Sequence, residues 1–180
     1  MTYWKIDPAH SEVNFKVKHL VISTVRGEFD TFNATIESEK EDFNDAKVTF
    51  EVDINSINTG NEQRDAHLKS PDFFYAEKYP KMRFVSTSVK KKSDYELEVK
   101  GNLILRGITK EVTFEVIYNG MVAGFGGNKV AGFEVKGKLN RFDFGLQWNA
   151  LTDAGGVVVS NEVKIEILAE FNKAQAAIAA

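Results

Sequence analysis

The stretch that decides the fold is residues 13–21, VNFKVKHLV. Val13, Phe15, Val17, His19 and Val21 occupy every second position, and the residues between them are mostly polar. A repeat of two places alternate side chains on opposite faces of an extended chain. The pattern therefore predicts a β-strand with one apolar and one polar face.

The same alternation returns along most of the chain and gives eight strands counted from Val13. The second of them, within Arg26–Ser38, departs from strict alternation in the way that a β-bulge produces. The apolar series of the other strands are Val48, Phe50, Val52, Ile54; Met82, Phe84, Ser86; Leu97, Val99, Gly101, Leu103, Leu105; Val112, Phe114, Val116, Tyr118; Phe133, Val135, Gly137, Leu139; and Val163, Ile165, Ile167, Ala169, Phe171.

Short joins such as Ser93-Asp94 and Arg106-Gly107 separate several of these strands. Joins of this length make sequential strands antiparallel. An even number of long strands, each with one polar face, is best completed by closure, because closure leaves no exposed edge. The sequence therefore predicts an all-β, eight-stranded antiparallel up-and-down barrel.

Two segments lack the strand pattern. Residues 61–70, NEQRDAHLKS, open with Asn61 as an N-cap and are stopped by Pro71, which predicts one short helix. Residues 120–127 contain four glycines, which predicts a loop. We assign residues 1–172 to a single barrel domain and residues 173–180 to a flexible tail.

The composition limits the function. The chain contains 14 Phe against 2 Trp and 5 Tyr, and the Phe ring suits an apolar interior because it needs no hydrogen-bond partner. A net charge of −3 offers no basic surface to nucleic acid. The absence of Cys excludes disulfides, thiolate nucleophiles and cysteine metal sites.

The sequence contains neither a signal peptide nor a run of about 18 apolar residues that would form a transmembrane segment. We therefore expect a cytoplasmic protein. A form processed from a longer precursor would instead be extracytoplasmic.

The candidates for chemistry are the three histidines, His10, His19 and His67. Their spacing matches no recognised metal-ligand pattern, so we predict neither a metal site nor a cofactor. The chain also lacks the zinc-protease, nucleophile-elbow and phosphate-loop motifs. We therefore predict no catalytic residues and a protein that is not an enzyme.

The chain resembles the YceI-like family in an ordered set of motifs between Trp4 and Phe171. These motifs are Trp4-x-Ile6-Asp7-Pro8-x-His10-Ser11, Val25-Arg26-Gly27-x-Phe29, Arg64-Asp65-x-His67-Leu68-x-Ser70-x-Asp72-Phe73-Phe74, Tyr79-Pro80-x-Met82-x-Phe84-x-Ser86, Gly101-x-Leu103-x-Leu105-Arg106-Gly107-x-Thr109-Lys110 and Asn140-Arg141-x-Asp143-Phe144-Gly145. The resemblance implies a lipocalin-like eight-stranded barrel whose pore holds a polyisoprenoid or similar amphiphilic lipid.

The leading hypothesis is accordingly that the barrel binds a long apolar amphiphile (an isoprenoid, another lipid or a quinone-like molecule) for sequestration, storage or transport. The residues expected to line the pore are Phe15, Val17, Phe84, Leu103, Leu105, Phe114 and Phe133. The residues expected to gate its mouth are Phe73, Phe74 and Trp148. The residues expected to contact a polar head group are His19, Arg141 and Asp143.

Two other functions remain open from the sequence. One is an enzyme acting on a lipid or small acid, with His67 as acid, Asp65 as base and Arg106 as anchor. The other is a filled barrel that serves as a stress or interaction protein. The sequence is also compatible with a homodimer.

Overall fold

The computed structural model describes residues 1–150 and 158–174. Strands dominate this part of the chain, and one α-helix interrupts them. The strands are β1 (Thr2–Ile6), β2 (Glu12–His19), β3 (Ser23–Phe29), β4 (Phe32–Ser38), β5 (Lys47–Asp53), β6 (Ile57–Asn58), β7 (Lys81–Lys91), β8 (Glu96–Leu105), β9 (Ile108–Ala123), β10 (Lys129–Asn140) and β11 (Val159–Ala174), and the helix is α1 (Glu62–Lys69).

The strands form a closed antiparallel barrel of eight members, because three of the members are each built from two consecutive strands. β1 and β2 pair with successive parts of β11, and the 3-10 turn Pro8–His10 separates them. β4 pairs with β1, and β3 pairs with β2. β5 and β6 pair in turn with β4 and β3. The pairing of β1 with β11 closes the ring. The predicted eight-stranded up-and-down barrel is confirmed.

The structure corrects the prediction for the first two members of the barrel. The strand Thr2–Ile6 was not predicted, although its Trp4 and Ile6 are both buried. The irregularity predicted as a bulge is a break at Asp30-Thr31, where the chain leaves β2 and begins to pair with β1.

Two predicted boundaries also change. Gly120 lies within β9, which continues to Ala123, so the predicted glycine-rich loop is reduced to the turn that follows. Lys173 and Ala174 of the predicted tail belong to β11, and the remainder of the tail lies outside the described residues.

The predicted helix is confirmed, together with its N-cap. The side chain of Asn61 accepts a hydrogen bond from the Arg64 N–H, which satisfies one of the free donors of the first turn. The backbone N–H of Ser70 bonds to the His67 carbonyl and ends the helix before Pro71.

The up-and-down order gives the barrel two different ends. The helix end carries α1, the turn between β8 and β9, and the connection from β10 to β11. The Phe43 end carries the loop from β4 to β5, the turn between β9 and β10, and the last residue of β11. Phe43, in the loop between β4 and β5, is only 1% exposed.

Candidate functional site

The interior of the barrel contains two adjoining cavities between the buried side chains of its core. The larger one lies toward the Phe43 end and holds about 1110 Å³ of space free of protein atoms, part of it open to solvent. The aromatic residues of its wall are Phe15, Phe29, Phe43, Phe50, Phe84, Phe114, Phe133 and Phe171.

The smaller cavity lies toward the helix end and holds about 680 Å³ of such space. Leu68 of α1, together with Phe73 and Phe74 after it, forms part of its wall. The two cavities share five wall residues, which places them end to end along one bore. These junction residues are Phe15, Phe29, Met82, Leu139 and Ile165.

The wall of the bore is apolar almost throughout. Among the described residues, Asn14 is the polar member of the larger cavity and Arg141 that of the smaller one. The described part of the wall thus contains no carboxylate, imidazole or hydroxyl group, which are common general acids and bases. It is suited to hold an apolar molecule out of water.

An aromatic plug closes the bore at the Phe43 end. The ring of Phe43 lies 5.3 Å from Trp4, 5.3 Å from Tyr118 and 5.1 Å from Phe133, each in an edge-to-face arrangement. The carboxylate of Asp45 holds the loop, accepting hydrogen bonds from the Ser38 hydroxyl at 2.6 Å and from the Glu39 N–H at 2.9 Å. This end of the barrel is therefore shut by a side chain of its own loop.

A second aromatic cluster lies at the helix end. The His67 ring lies 4.7 Å from Trp148 and 5.1 Å from Phe73, and its Nε2 is 2.9 Å from the Asp72 carboxylate. Phe74 packs on Phe29 at 6.1 Å. Phe73 and Phe74 thus connect the wall of the bore to the surface of this end.

Arg141 fastens the chain at the helix end. Its guanidinium donates hydrogen bonds to four backbone carbonyls, those of Leu146, Trp148, Val159 and Ser160, at 2.7–3.3 Å. The side chain is 5% exposed, and burial lowers the pKa of the guanidinium. Since these carbonyls occupy most of its donors, Arg141 is placed to hold two segments of chain together.

The structure brings most of the predicted site residues into the bore. Phe15, Phe84, Leu103, Phe114 and Phe133 lie in the wall of the larger cavity. Val17, Leu105, Phe73, Phe74 and Arg141 lie in the wall of the smaller one. Their contact with a ligand stays a prediction.

Three predicted residues lie outside the walls of both cavities. His19 is the last residue of β2 and lines neither cavity, although it continues the inward series of Val13, Phe15 and Val17. Asp143 is exposed in the 3-10 turn after β10. Trp148 covers His67 and Phe73 instead of the bore. The predicted head-group contacts of His19 and Asp143 therefore have no support from their positions.

The prediction missed wall residues of two kinds. Phe29, Phe50 and Met82 already belonged to the predicted strands, so their inward positions could have been read from the period of two. Phe43 lies in a loop, where the period of two gives no signal.

The residues of the enzyme hypothesis make separate structural contacts. Asp65 accepts hydrogen bonds from the Thr59 N–H and hydroxyl at 2.9 and 2.6 Å. Arg106 donates to the carbonyls of Gly145 and Pro71. Neither they nor His67 lie in the wall of the bore. The structure therefore does not assemble them around a substrate cavity.

Among the described residues, the only group of three possible metal ligands with mutually close ligand atoms is Asp7, His10 and Glu170, within 4.8 Å. His10 Nδ1 lies 2.8 Å from the Asp7 carboxylate and 3.8 Å from that of Glu170, and the other oxygen of Asp7 accepts from the Ala9 N–H. These contacts build the turn between β1 and β2. The hydrogen bond with His10 lowers the pKa of Asp7, and the same bond raises that of His10.

This ion pair is expected to make stability depend on pH. In the folded protein the pKa of His10 lies above its ordinary value of 6.5. The contribution of His10 to the free energy of unfolding is therefore complete below pH 6.5, and it disappears as the pH rises through the raised pKa. The contribution of Asp7 is lost as the pH falls through its lowered pKa, below the ordinary 3.8. Urea unfolding should therefore show wild type more stable than His10→Asn at about pH 5.5 and equal to it at about pH 9.

Asp7→Asn is the matched control, because it keeps an oxygen for the Ala9 N–H and removes the charge. In the Asp7→Asn background the pH-dependent effect of His10→Asn should shrink to the smaller part that Glu170 contributes. A stability difference between wild type and His10→Asn that is equal at both pH values would show that the pair contributes no charge interaction.

A closed antiparallel barrel around an apolar bore defines the chain as a lipocalin-like β-barrel protein. It belongs to the YceI-like domain family, which it matches over residues 4–171. The UPF0312 protein SAS2572 of Staphylococcus aureus is 42% identical over 173 residues, which cover 96% of this chain and 98% of that protein.

Two solved structures share the fold. Burkholderia cenocepacia BcnA superimposes with a TM-score of 0.80 at 22% identity, covering 92% of this chain and 98% of that one. A polyisoprenoid binding domain from Saccharophagus degradans superimposes with a TM-score of 0.67 at 15% identity, covering 95% and 98%. Within the described residues, no helix has the length and apolar character needed to cross a membrane.

Proposed function

We propose that this protein binds a long apolar amphiphile, of the polyisoprenoid type, inside its barrel without transforming it. The observation that carries the proposal is the bore itself: two cavities end to end, with walls that are apolar except for Asn14 and Arg141. The polyisoprenoid binding domain from Saccharophagus degradans, which has the same fold, supports the choice of ligand class.

The energetics agree with a chain-like ligand. Burial of one isoprene unit, with five carbons, contributes roughly 4 kcal/mol at about 0.8 kcal/mol per carbon group. Eight units would sum to about 30 kcal/mol, beyond the observed ceiling of about 20 kcal/mol for noncovalent complexes. Ordering of the chain and incomplete burial therefore offset much of this gain. High affinity needs a long dry bore and no catalytic group.

The test is to extract the purified protein with organic solvent and identify the extract by mass spectrometry. We expect about one apolar molecule per chain. Protein freed of lipid by unfolding and refolding should take up an all-trans prenol and release it with its mass unchanged. A prenol recovered in altered form would favour the enzyme hypothesis. A refolded barrel that takes up no prenol would favour the filled barrel.

A matched pair of variants tests whether the ligand lies inside the barrel. Ala169 lies in the wall of the larger cavity, whereas Ala123 is exposed near the end of β9. Ala169→Leu should lower the amount of bound prenol because it fills the bore, and Ala123→Leu should leave it unchanged. Equal binding by both variants would place the ligand elsewhere.

A further inference from the structure

Two glycines of the barrel wall face phenylalanine rings of the neighbouring strand. Gly27 lies opposite Phe15 in the ladder between β2 and β3, and a Cβ placed on Gly27 would lie 2.2 Å from the Phe15 Cζ. A Cβ on Gly137 of β10 would lie 2.4 Å from Cδ1 and 2.6 Å from Cε1 of Phe114 on β9. Each ring therefore occupies the space in which the side chain of its neighbour would stand.

The backbone does not require glycine at these two positions. Neither residue has the positive φ that favours glycine, and a glycine within a strand costs roughly 0.5–1 kcal/mol relative to alanine. The three atoms nearest to the added Cβ all belong to side chains: two atoms of the Phe15 ring and Thr59 Cγ2 at Gly27, and three atoms of the Phe114 ring at Gly137. The reason for glycine is the space taken by the ring.

Gly101 differs from this pair. A Cβ there would meet the Phe84 ring at 2.6 Å but also two backbone atoms, the Val85 oxygen at 2.4 Å and the Ser86 Cα at 2.7 Å. The ladder between β7 and β8 shifts register just beyond Ser86. Glycine is thus required at position 101 because the backbones of β7 and β8 approach each other closely there. Its replacement would disturb the pairing of these two strands.

We propose that Gly27 and Gly137 determine the specificity of the bore. They let the rings of Phe15 and Phe114 lie against the barrel wall, so that the rings line the bore instead of crossing it. A side chain at either position forces its ring away from the wall and into the space of the ligand. This inference rests on the proposed function, since it names the residues that set which chains fit.

Gly27 has the more specific role of the two, because Phe15 is one of the junction residues shared by both cavities. Displacing its ring narrows the passage between them. Gly27→Ala should therefore divide the bore and shorten the longest chain that fits. Gly137→Ala acts within the larger cavity, where the Phe114 ring already lies 5.3 Å from Phe84.

The experiment compares the binding of all-trans prenols of two and of seven isoprene units to lipid-free Gly27→Ala, Gly137→Ala and Gly132→Ala. Gly132 is the control, since its added Cβ would meet only Asn119 Cβ at an ordinary 3.6 Å. We expect Gly27→Ala to lose about tenfold or more in affinity for the long prenol, the equivalent of two carbon groups leaving the bore. Its affinity for the short prenol should stay near that of Gly132→Ala.

Second-site variants show whether the rings are responsible. Phe15→Leu added to Gly27→Ala, and Phe114→Leu added to Gly137→Ala, should restore binding of the long prenol, because they remove the displaced rings. Both double variants also relieve the packing conflict if a single variant folds poorly. The inference would be overturned if the single variants bound both prenols as Gly132→Ala does. It would also be overturned if the double variants folded but did not recover affinity for the long prenol.

Benzene, which binds dry apolar cavities in proteins, separates this inference from the proposed function. If wild type takes up no prenol, the proposed function fails, while benzene still reports the width of the bore. Gly137→Ala should then lose benzene affinity relative to Gly132→Ala, and the Phe114→Leu addition should restore it. Equal benzene affinity in Gly137→Ala, Gly132→Ala and the double variant would overturn the role of the glycines, even if wild type binds no prenol.

Discussion

Replacing Arg141 by Met is expected to lower the free energy of unfolding by about 3–5 kcal/mol, because each buried carbonyl left without its donor costs about 1–3 kcal/mol. Four backbone carbonyls accept hydrogen bonds from this guanidinium, and each hydrogen bond to a charged donor contributes about 1.5–3 kcal/mol. Met fills a similar volume but donates nothing. The carbonyls of Leu146 and Ser160 would lose a partner in a buried or partly buried setting.

Urea unfolding of lipid-free protein at neutral pH measures the effect, with Arg83→Met as the control. Arg83 is an exposed residue of β7, so its replacement should change stability by no more than about 0.5 kcal/mol. Arg141→Lys should fall between wild type and Arg141→Met, since lysine keeps the charge but has fewer donors and no planar fork. A cost for Arg141→Met as small as that for Arg83→Met would show that the four hydrogen bonds contribute little.

The sequence predicted the barrel because its strands obey one simple rule. Apolar residues at every second position, such as Val13, Phe15 and Val17, face the interior, and the polar residues between them face the solvent. This orientation can be predicted without knowledge of any distant part of the chain. The signal for the helix was equally local, because Asn61 and Pro71 mark its two ends.

Features that depend on distant contacts were not predictable in this way. β1 is five residues long, and its place in the barrel depends on pairing with β11 and β4. Arg141 was predicted to contact a head group, since nothing in the sequence shows that carbonyls up to 19 residues away take its donors. His19 has the right periodicity for an inward position, but β2 ends there.

The closure of the Phe43 end gives the second large effect. Phe43→Ala should cost about 3–5 kcal/mol, because it removes a fully buried ring that contacts Trp4, Tyr118 and Phe133. Phe43 also has a φ of +59°, a conformation that disfavours any residue with a Cβ. Phe43→Gly should therefore be about 1 kcal/mol more stable than Phe43→Ala, although both lose the ring.

Phe125 is the matched control, since it lies in the turn between β9 and β10 at the same end of the barrel, and its ring is fully exposed at 107%. Phe125→Ala should leave the unfolding free energy within about 0.5 kcal/mol of wild type. The order expected from urea unfolding of lipid-free protein is Phe125→Ala, then Phe43→Gly, then Phe43→Ala, from most to least stable.

Bound prenol should raise the stability of all three variants by mass action. The increase should be smallest for the two Phe43 variants, because they lack the ring that closes the bore at this end. If Phe43→Ala proved as stable as Phe125→Ala, the contacts of the Phe43 ring would contribute little to stability, and the ring would not be a structural plug.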